Sequence, residues 1–183
     1  MVLSQFSAEG DKKTLADFLG GISKDVYPVG RLDYDSEGLM VLTNDKQLTH
    51  QLLEPKFAHH RTYYVQVDGD ITDEAVQQLC NGVMINVDGK DYKTKPAGAE
   101  KISEPLLPER NPPIRFRKNI PTSWIALTLT EGKNRQVRKM TAKVGYPTLR
   151  LVRFSIGSIT IDGMQPGDWV AIDASEKQKL LKG

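Results

Sequence analysis

The sequence of 183 residues is poor in cysteine and in long apolar runs, and each shortage excludes a class of protein. The single cysteine, Cys80, cannot form an internal disulfide, which suits a reducing cytosol. No apolar run approaches the roughly 20 residues that a membrane helix requires. The N-terminal residues also lack the apolar segment of a secretory signal. We therefore expect a soluble cytoplasmic protein.

Familiar cofactor and catalytic motifs are also missing: the sequence has no P-loop, Rossmann glycine motif, HExxH or GxSxG. The net charge is only +2, but the charges are unevenly distributed. Residues 108–153 contain eleven basic and two acidic residues, whereas residues 1–107 contain eleven basic and seventeen acidic residues. The basic block is either a footprint for nucleic acid or a solvated face, and charge alone favours neither.

Hydrophobic periodicity and turn signals predict short strands and helices that alternate along the chain. The predicted strands cover 2–6, 38–43, 61–69, short segments of 83–104, 124–132, 149–162 and 167–172. The predicted helices cover 13–21, 46–55, 72–82, 134–145 and 175–182. Because the connections are short enough for hairpins, we expect an α+β fold with a mixed, largely antiparallel sheet.

The stretch GRLDYDSEGLMVLTND (30–45) places Arg31 and the three acids Asp33, Asp35 and Glu37 just before an apolar run. Three interpretations fit these residues. They form a structural ion pair at a turn, half of a magnesium site, or a catalytic carboxylate that a cation keeps ionised. A magnesium site would need a third acid from elsewhere in the chain.

A second stretch, TEGKNRQVRKMTAKVG (130–145), predicts an amphipathic helix from about residue 134. Its apolar face carries Val137, Met140 and Val144. Its opposite face carries Arg135, Lys139 and Lys143, three cations without an acidic complement. Such a stripe is usually a solvated face, but Arg138 on the flank is well placed to turn inward and pair with a buried acid.

A third stretch, HHRTYYV (59–65), begins the apolar side of its strand at Tyr63. This residue is either a core tyrosine or a platform on which a nucleobase stacks. His50, His59 and His60 lack the spacing of a metal site, and we interpret them as surface or RNA-contact residues.

Together, these stretches resemble the motifs of the RsuA-like pseudouridine synthases. GRLDYDSEGLMVLTND is similar to their GRLD-x-D-[ST]-x-GLLLLTND signature, and RTYYV is similar to K-x-Y-x-V. EGKNRQVRKM…VGYPTLRLVRFSIG is similar to EG-x-x-x-QVRRM…VG…L-x-R-x-x-x-G. The resemblance covers most of residues 1–170 and implies the pseudouridine synthase catalytic fold. That fold is α+β, with a mixed, largely antiparallel sheet, flanking helices and a central active-site cleft.

The resemblance also implies a domain organisation. Residues 1–183 are expected to form a single catalytic domain of two lobes, without an S4 RNA-binding domain. Relatives have a strand with a Lys-Pro motif before the segment that resembles MVLSQF, and this chain lacks it.

Roles for individual residues follow from the same resemblance. Asp33 matches the catalytic aspartate, Tyr63 the tyrosine that packs on the target base, and Arg138 the basic residue that pairs with the aspartate. The expected RNA-binding residues are Arg31, Lys133, Arg135, Gln136, Lys139, Lys143, Arg115 and Arg117.

The implied activity is the isomerisation of a specific uridine of 23S rRNA to pseudouridine, without a metal or another cofactor, by a protein expected to be a monomer. Two alternatives are a non-catalytic RNA-binding ribosome assembly factor and a metal-dependent nuclease or transferase that uses Asp33 and Asp35.

Overall fold

The computed structural model describes residues 1–114 and 120–181. The strands in these ranges are β1 (Tyr27–Pro28), β2 (Glu37–Gly38), β3 (Leu42–Thr43), β4 (Arg61–Asp68), β5 (Met84–Val87), β6 (Lys90–Lys93), β7 (Gly98–Ile102), β8 (Thr122–Leu129), β9 (Thr148–Ile156) and β10 (Ile159–Thr160). The α-helices are α1 (Lys46–Leu53), α2 (Asp73–Cys80), α3 (Gln136–Lys143) and α4 (Ala174–Leu181). This mixture of helices and mainly antiparallel strands confirms the predicted α+β class.

A six-stranded sheet organises the molecule, with β4 at its centre. Its main path runs β10-β9-β4-β8-β7, in which every neighbouring pair is antiparallel, and β2 joins it through a parallel pairing with β9. Val65 and Val67 on β4 are fully buried, as the alternation of the sequence predicts for one face of a strand. Tyr63 is two residues before Val65 and lies on the same face, where it packs against the core.

Two hydrophobic clusters stabilise the fold. The larger one joins one face of β4, β8 and β9 to the helices α2 and α3, and its fully buried members include Ile71, Leu79, Ile125, Leu127 and Met140. The second cluster joins α1 and α4 to the end of β9, and its buried members are Val29, Val41, Leu48, Leu52, Ile156 and Leu180. The acidic stretch of residues 30–45 therefore ends in the second cluster, while α3 belongs to the first.

The ends of two helices follow directly from local sequence. The carboxylate of Asp45 accepts hydrogen bonds from the backbone N–H groups of Gln47 and Leu48 at the start of α1, at 2.8 and 3.0 Å. The hydroxyl of Thr72 caps α2 in the same way. Both caps follow from residue type, because short side-chain oxygens satisfy the unpaired N–H groups of a first helical turn. None of the helices in the described residues is long and apolar enough to cross a membrane.

Four predicted elements are wrong or incomplete. The segment 2–6 forms only an isolated bridge, between Leu3 and Thr14, and 13–21 contains only a 3-10 turn at Leu15–Asp17. A segment that short cannot sustain an isolated helix. Segment 167–172 has no regular structure. The predicted strand 38–43 divides into β2 and β3, because Gly38 pairs with β9 and Leu42 pairs with β1.

Candidate active site

The acidic loop, defined here as residues 31–38, is fastened to the edge of the main sheet by its last residue. Gly38 has φ +110, and a Cβ atom at this position would lie 2.3 Å from the backbone oxygen of Arg153. Only glycine permits this conformation together with such a close approach. The N–H of Leu39 then donates to the same backbone oxygen at 2.8 Å. The loop that carries Asp33 is therefore held directly against β9.

Two arginines, Arg135 and Arg138, contact the carboxylate of Asp35. Its two carboxylate oxygens each accept a hydrogen bond from a terminal nitrogen of Arg135, at 3.0 Å. Arg138 also contacts it, with Nη2 at 3.3 Å from the carboxylate and 2.9 Å from the backbone oxygen. The hydrogen bonds from Arg135 lower the pKa of Asp35, against the opposing effect of partial burial. Asp35 thus joins the acidic loop to the N-terminal end of α3.

Asp33 lies beside this ion pair and, among residues 1–114 and 120–181, has one cationic contact within ion-pair distance. Its Oδ2 is 3.5 Å from Nη1 of Arg135, and its side chain is 35% exposed. The predicted ion pair between Asp33 and Arg138 is not formed, because Arg138 is held by the carboxylate and backbone oxygen of Asp35 and by Ser36. Burial lowers the pKa of Arg138, while attraction to Asp35 and to Asp33 partly offsets that effect. Arg138 is therefore within electrostatic range of Asp33, although its direct partner is Asp35.

Glu37 anchors the other side of the acidic loop. Arg150 on β9 donates to both of its carboxylate oxygens, at 2.9 and 3.0 Å, and Nε of Arg110 lies 3.2 Å from one of them. Arg110 and Arg150 also donate to the backbone oxygens of Asp35 and Pro108. These contacts hold the segment around residues 108–112 against the acidic loop.

Tyr63 reaches the same region from the centre of the sheet. It pairs with Arg153 across β4 and β9, and a β-bulge lies between Thr62 and Tyr63. Burial lowers the pKa of Arg153, and attraction to the side chain of Tyr63 opposes that effect. Nε of Arg153 donates at 2.7 Å to the backbone oxygen of Leu39, the residue that follows the acidic loop. Arg153 therefore connects Tyr63 to the loop that carries Asp33.

Gln136 is not available for the RNA contact that the sequence suggested. It is only 3% exposed, its amide donates to Glu131 at 2.7 Å, and its oxygen accepts from the N–H of Lys133 at 2.9 Å. Glu131 also accepts from the hydroxyl of Tyr92 and from the N–H of Lys95. Burial acts to raise the pKa of Glu131, but these hydrogen bonds outweigh it and the net shift is downward. Gln136 thus supports the turn before α3.

The remaining predicted RNA contacts are basic side chains near α3 and the acidic loop. Arg31, Lys133 and Lys143 are exposed, and Lys139 is partly exposed. The Lys133 ammonium lies 4.9 Å from the ring centroid of Tyr92, which leaves it at the surface of the turn before α3. Arg135 does not continue their stripe, because it precedes the helix in a left-handed conformation (φ 53) and pairs with Asp35. The other two predicted contacts, Arg115 and Arg117, lie outside the described residues.

The neighbours of the two aspartates favour the ion-pair interpretation over a metal site. Both Asp33 and Asp35 face guanidinium groups rather than a third acid. Across residues 1–114 and 120–181, no group of three His, Cys, Asp or Glu side chains is arranged to hold a metal ion. His59, interpreted from sequence as a surface or RNA-contact residue, is instead buried at 6% exposure, and burial lowers its pKa.

The sequence interpretation gave no role to Arg110, Arg150 or Arg153. A signal for the last two was present, since arginines that interrupt the apolar strand LRLVRFSI need acceptors within the fold. Arg110 could not be found in this way, because it lies in a loop whose placement depends on distant residues.

Comparisons with known proteins agree with this geometry. The family model described as RNA pseudouridylate synthase matches residues 5–143, a range that includes Asp33, Tyr63 and Arg138. A ribosomal large subunit pseudouridine synthase E from Vibrio parahaemolyticus is 54% identical over 170 residues, which cover 93% of this chain and 69% of that protein. A protein of the same name from Xanthomonas campestris pv. campestris is 48% identical over 176 residues, covering 94% of this chain and 91% of that protein.

A solved structure extends the similarity to the fold. A crystal structure of a pseudouridylate synthase superposes with a TM-score of 0.79 at 25% sequence identity, covering 98% of this chain and 69% of that one. The predicted catalytic fold is thereby confirmed. From the family match and these relatives, the chain belongs to the RNA pseudouridylate synthase family and is a pseudouridine synthase.

Proposed function

We propose that the protein isomerises a specific uridine of 23S ribosomal RNA to pseudouridine, with Asp33 as the catalytic carboxylate. The observation that carries the proposal is the attachment of the acidic loop to α3, where Arg135 places a guanidinium nitrogen 3.5 Å from Asp33. The relatives named as ribosomal large subunit synthases support the choice of RNA.

The reaction needs no oxidant or phosphate chemistry. The N1–C1′ bond of the uridine breaks, the uracil turns, and a C5–C1′ bond forms. The proton on C5 leaves, and N1 gains a proton, so that the product is an isomer of the substrate. A carboxylate that attacks C1′ or C6, or that removes the 2′ proton, must be ionised in each case. We therefore propose a metal-free mechanism in which one aspartate acts as nucleophile or base.

The arginines near Asp33 have separate roles in this proposal. Arg135 supplies the direct positive charge beside Asp33, and Arg138 anchors the acidic loop through Asp35. This division differs from the pairing expected from sequence, in which Arg138 contacts Asp33 itself. The positive charges of Arg135 and Arg138 compensate the negative charges of the two aspartates, Asp33 and Asp35. These four side chains together therefore carry no net charge before RNA binds.

Tyr63 is proposed to contact the target base. A uridine within a structured RNA must leave its stack before its glycosidic bond is accessible, which costs a few kcal/mol. Stacking on an aromatic ring recovers on the order of 1–3 kcal/mol per base. Tyr63 is partly exposed and lies at the end of β4 nearest the acidic loop, to which Arg153 connects it.

Basic side chains around the site are proposed to hold RNA phosphates. Arg31 in the acidic loop, Lys133 in the turn before α3, and Lys139 and Lys143 on α3 are at least partly exposed. Their contribution is electrostatic, so binding should weaken as the salt concentration rises. Arg115 and Arg117 keep the same proposed role from sequence.

Three further properties complete the proposal. A ribosomal RNA substrate implies action in the cytoplasm, and we propose a monomer, which light scattering would test. We also propose a single catalytic domain. The support for one domain is that β9 contributes Leu151 to the first hydrophobic cluster and Ile156 to the second.

The decisive experiment is tritium release from a 23S rRNA transcript labelled with 5-³H-uridine, in buffer containing EDTA. Release accompanies the reaction because the C5 proton is lost. We expect release with the wild-type protein and none with Asp33→Asn. Asp25→Asn is the matched control, since Asp25 is exposed and its carboxylate accepts hydrogen bonds from Ser23 and Asn44, away from the acidic loop.

The alternatives predict different results. Activity that appears only after magnesium is added would support a metal-dependent enzyme that uses Asp33 and Asp35. Binding of the transcript without release, by wild type and Asp33→Asn equally, would support a non-catalytic assembly factor. Release from another labelled RNA, but not from 23S rRNA, would retain the chemistry and contradict the proposed substrate.

A further inference from the structure

We propose that Arg153 is a positioning residue of this active site, whose buried guanidinium holds the hydroxyl of Tyr63 and the end of the acidic loop in one fixed arrangement. The inference deepens the proposed function and rests on the role of Tyr63 in it. It concerns a residue on β9, beyond the 5–143 range that the family model matches.

The first observation is the burial of a charge without an opposite charge. Arg153 is 6% exposed, and no described carboxylate lies within ion-pair distance of it. It lies two residues after Leu151, on the face of β9 that contacts the larger hydrophobic cluster. Burying an unpaired guanidinium destabilises a fold, so a hydrophobic residue would suit this position better if packing were its only role.

The second observation is a double connection to the acidic loop. The side chain of Arg153 donates through Nε to the backbone oxygen of Leu39 at 2.7 Å. The backbone oxygen of Arg153 accepts from the N–H of the same Leu39 at 2.8 Å. The backbone of Gly38 approaches the backbone of Arg153 closely, because glycine has no side chain to obstruct the contact. One residue of β9 therefore fixes both the position and the direction of the loop end.

The third observation is the connection to Tyr63. The two residues pair directly across β4 and β9, and directly opposed residues place their side chains on the same face. The register shift between Thr62 and Tyr63 leaves Phe154 as an extra residue on β9, so that β9 bends next to Arg153. Electrostatic attraction to Tyr63 also opposes the lowering of the pKa of Arg153 that burial causes. The guanidinium that donates to Leu39 therefore lies on the same face of the sheet as its cross-strand neighbour Tyr63.

The third group of the guanidinium supports the same conclusion. Nη2 of Arg153 is buried and has no hydrogen-bond partner among the described residues. A buried donor of this kind is uncommon and costs stability. This cost is explained if the several N–H groups of the guanidinium are needed here. A lysine has a single nitrogen and could not reach both Leu39 and Tyr63.

The consequence is a fixed distance between the aromatic ring of Tyr63 and the loop that carries Asp33. Tyr63 is on the central strand and Asp33 is in a loop at the sheet edge, so nothing local in the sequence sets their separation. A displacement of about 1 Å at a reacting centre can reduce a rate on the order of 100-fold. Arg153 would act on the rate in this way without touching the RNA.

The test is a double-mutant cycle measured by single-turnover tritium release from the 5-³H-uridine-labelled 23S rRNA transcript. Arg153→Met and Tyr63→Phe are each expected to lower the rate constant about 10- to 100-fold. Their dissociation constants for the transcript should change less than about 3-fold. The double variant should be no more than about 3-fold slower than the slower single variant, because both changes break the same connection.

Matched controls separate positioning from general damage. Tyr64→Phe removes a hydroxyl one residue along β4, where Tyr64 instead stacks on Phe154. Arg150→Met removes a guanidinium from the same strand, where Arg150 binds Glu37. The rate loss of Arg150→Met, whatever its size, should multiply with that of Tyr63→Phe when the two changes are combined. The rate losses of Arg153→Met and Tyr63→Phe should not multiply.

Each outcome decides the matter. Rate losses of Arg153→Met and Tyr63→Phe that multiply in the double variant, or a normal rate in Arg153→Met, would overturn the inference and leave the role of Tyr63 intact. A normal rate in both Tyr63→Phe and Tyr63→Ala would contradict the proposed role of Tyr63 itself. If circular dichroism shows that Arg153→Met is unfolded, the same cycle with Arg153→Lys decides, since that variant keeps the charge but loses the fork.

Discussion

Arg135 and Asp35 form a two-point ion pair, in which each terminal guanidinium nitrogen lies 3.0 Å from a different carboxylate oxygen. The same arginine lies 3.5 Å from Asp33, two residues earlier in the loop. Asp35 therefore competes with Asp33 for the nearest cation. We infer that Asp35 keeps Arg135 and Arg138 in place while Asp33 stays accessible to RNA.

Replacing Asp35 by asparagine should slow the reaction and destabilise the protein. Arg138 is only 13% exposed and would lose its carboxylate, at an expected cost of about 1–3 kcal/mol of unfolding free energy. Arg135 would turn fully to Asp33 and block it, so we expect the single-turnover rate to fall at least about tenfold, or about 1.4 kcal/mol. Urea unfolding and tritium release measure the two effects.

The matched control for this change is Asp73→Asn. Asp73 is paired with Lys101 at 3.3 Å, but its side chain is 89% exposed. Its replacement should change the unfolding free energy by no more than about 0.5–1 kcal/mol and leave the rate unchanged. A wild-type rate in Asp35→Asn would contradict the idea that Asp35 draws Arg135 away from Asp33.

The same ion pair predicts how stability depends on acid. The hydrogen bonds from Arg135 hold the pKa of Asp35 below its ordinary value of 3.8 in the folded protein. The unfolded chain then binds this proton at a higher pH than the folded chain does. The stabilisation is therefore complete above the unfolded pKa and is lost as the pH falls through the folded one.

We accordingly expect wild-type stability to decline more steeply than that of Asp35→Asn below about pH 4. The two curves should run parallel above about pH 5, where Asp35 is ionised in both states. Urea midpoints measured at intervals across this range provide the comparison. Parallel curves below about pH 4 would show that Asp35 is not stabilised in its ionised form.

Local patterns predicted the elements that local interactions specify. The caps Asp45 and Thr72 fix the starts of α1 and α2, and the alternation around Val65 and Val67 fixes β4. Segment 167–172 has the pattern of a strand, but no strand of the described chain pairs with it, and Trp169 is 49% exposed. Strand pairing is a property of the whole fold, which a local pattern does not contain.

The sequence predicted which residues form the site, but not which arginine contacts which aspartate. The motifs brought Asp33, Arg135 and Arg138 to attention, and the fold brings their loop and helix together. Which arginine meets which aspartate depends on the turn at the start of α3, where Arg135 takes a left-handed conformation with φ 53. The role of Arg153 depends on contacts with two distant segments, so its motif position alone did not reveal it.

Glu131 should be a larger source of stability than its position in a surface turn suggests. It is 6% exposed and accepts hydrogen bonds from Tyr92, from the N–H of Lys95 and from Gln136. Glu131→Gln replaces an acceptor oxygen by a donor and removes the charge, so we expect a loss of about 1.5–3 kcal/mol in urea unfolding. Tyr92→Phe removes a single donor and should cost about 1 kcal/mol. Equal stability of Glu131→Gln and wild type would show that these contacts are not formed in solution.

Salt dependence should distinguish the lysines of α3 from Gln136. If Lys139 and Lys143 each contact one phosphate, replacing either by alanine should reduce the slope of log K against log salt by about 0.7–0.9. Gln136 is buried beneath the turn, so Gln136→Ala should lower the melting temperature and leave that slope unchanged. Filter binding of the 23S rRNA transcript at several salt concentrations measures the slopes, with Lys101→Ala on β7 as the control lysine. An unchanged slope in both lysine variants would place the RNA on another face of the protein. A reduced slope in Gln136→Ala would contradict a purely structural role for Gln136.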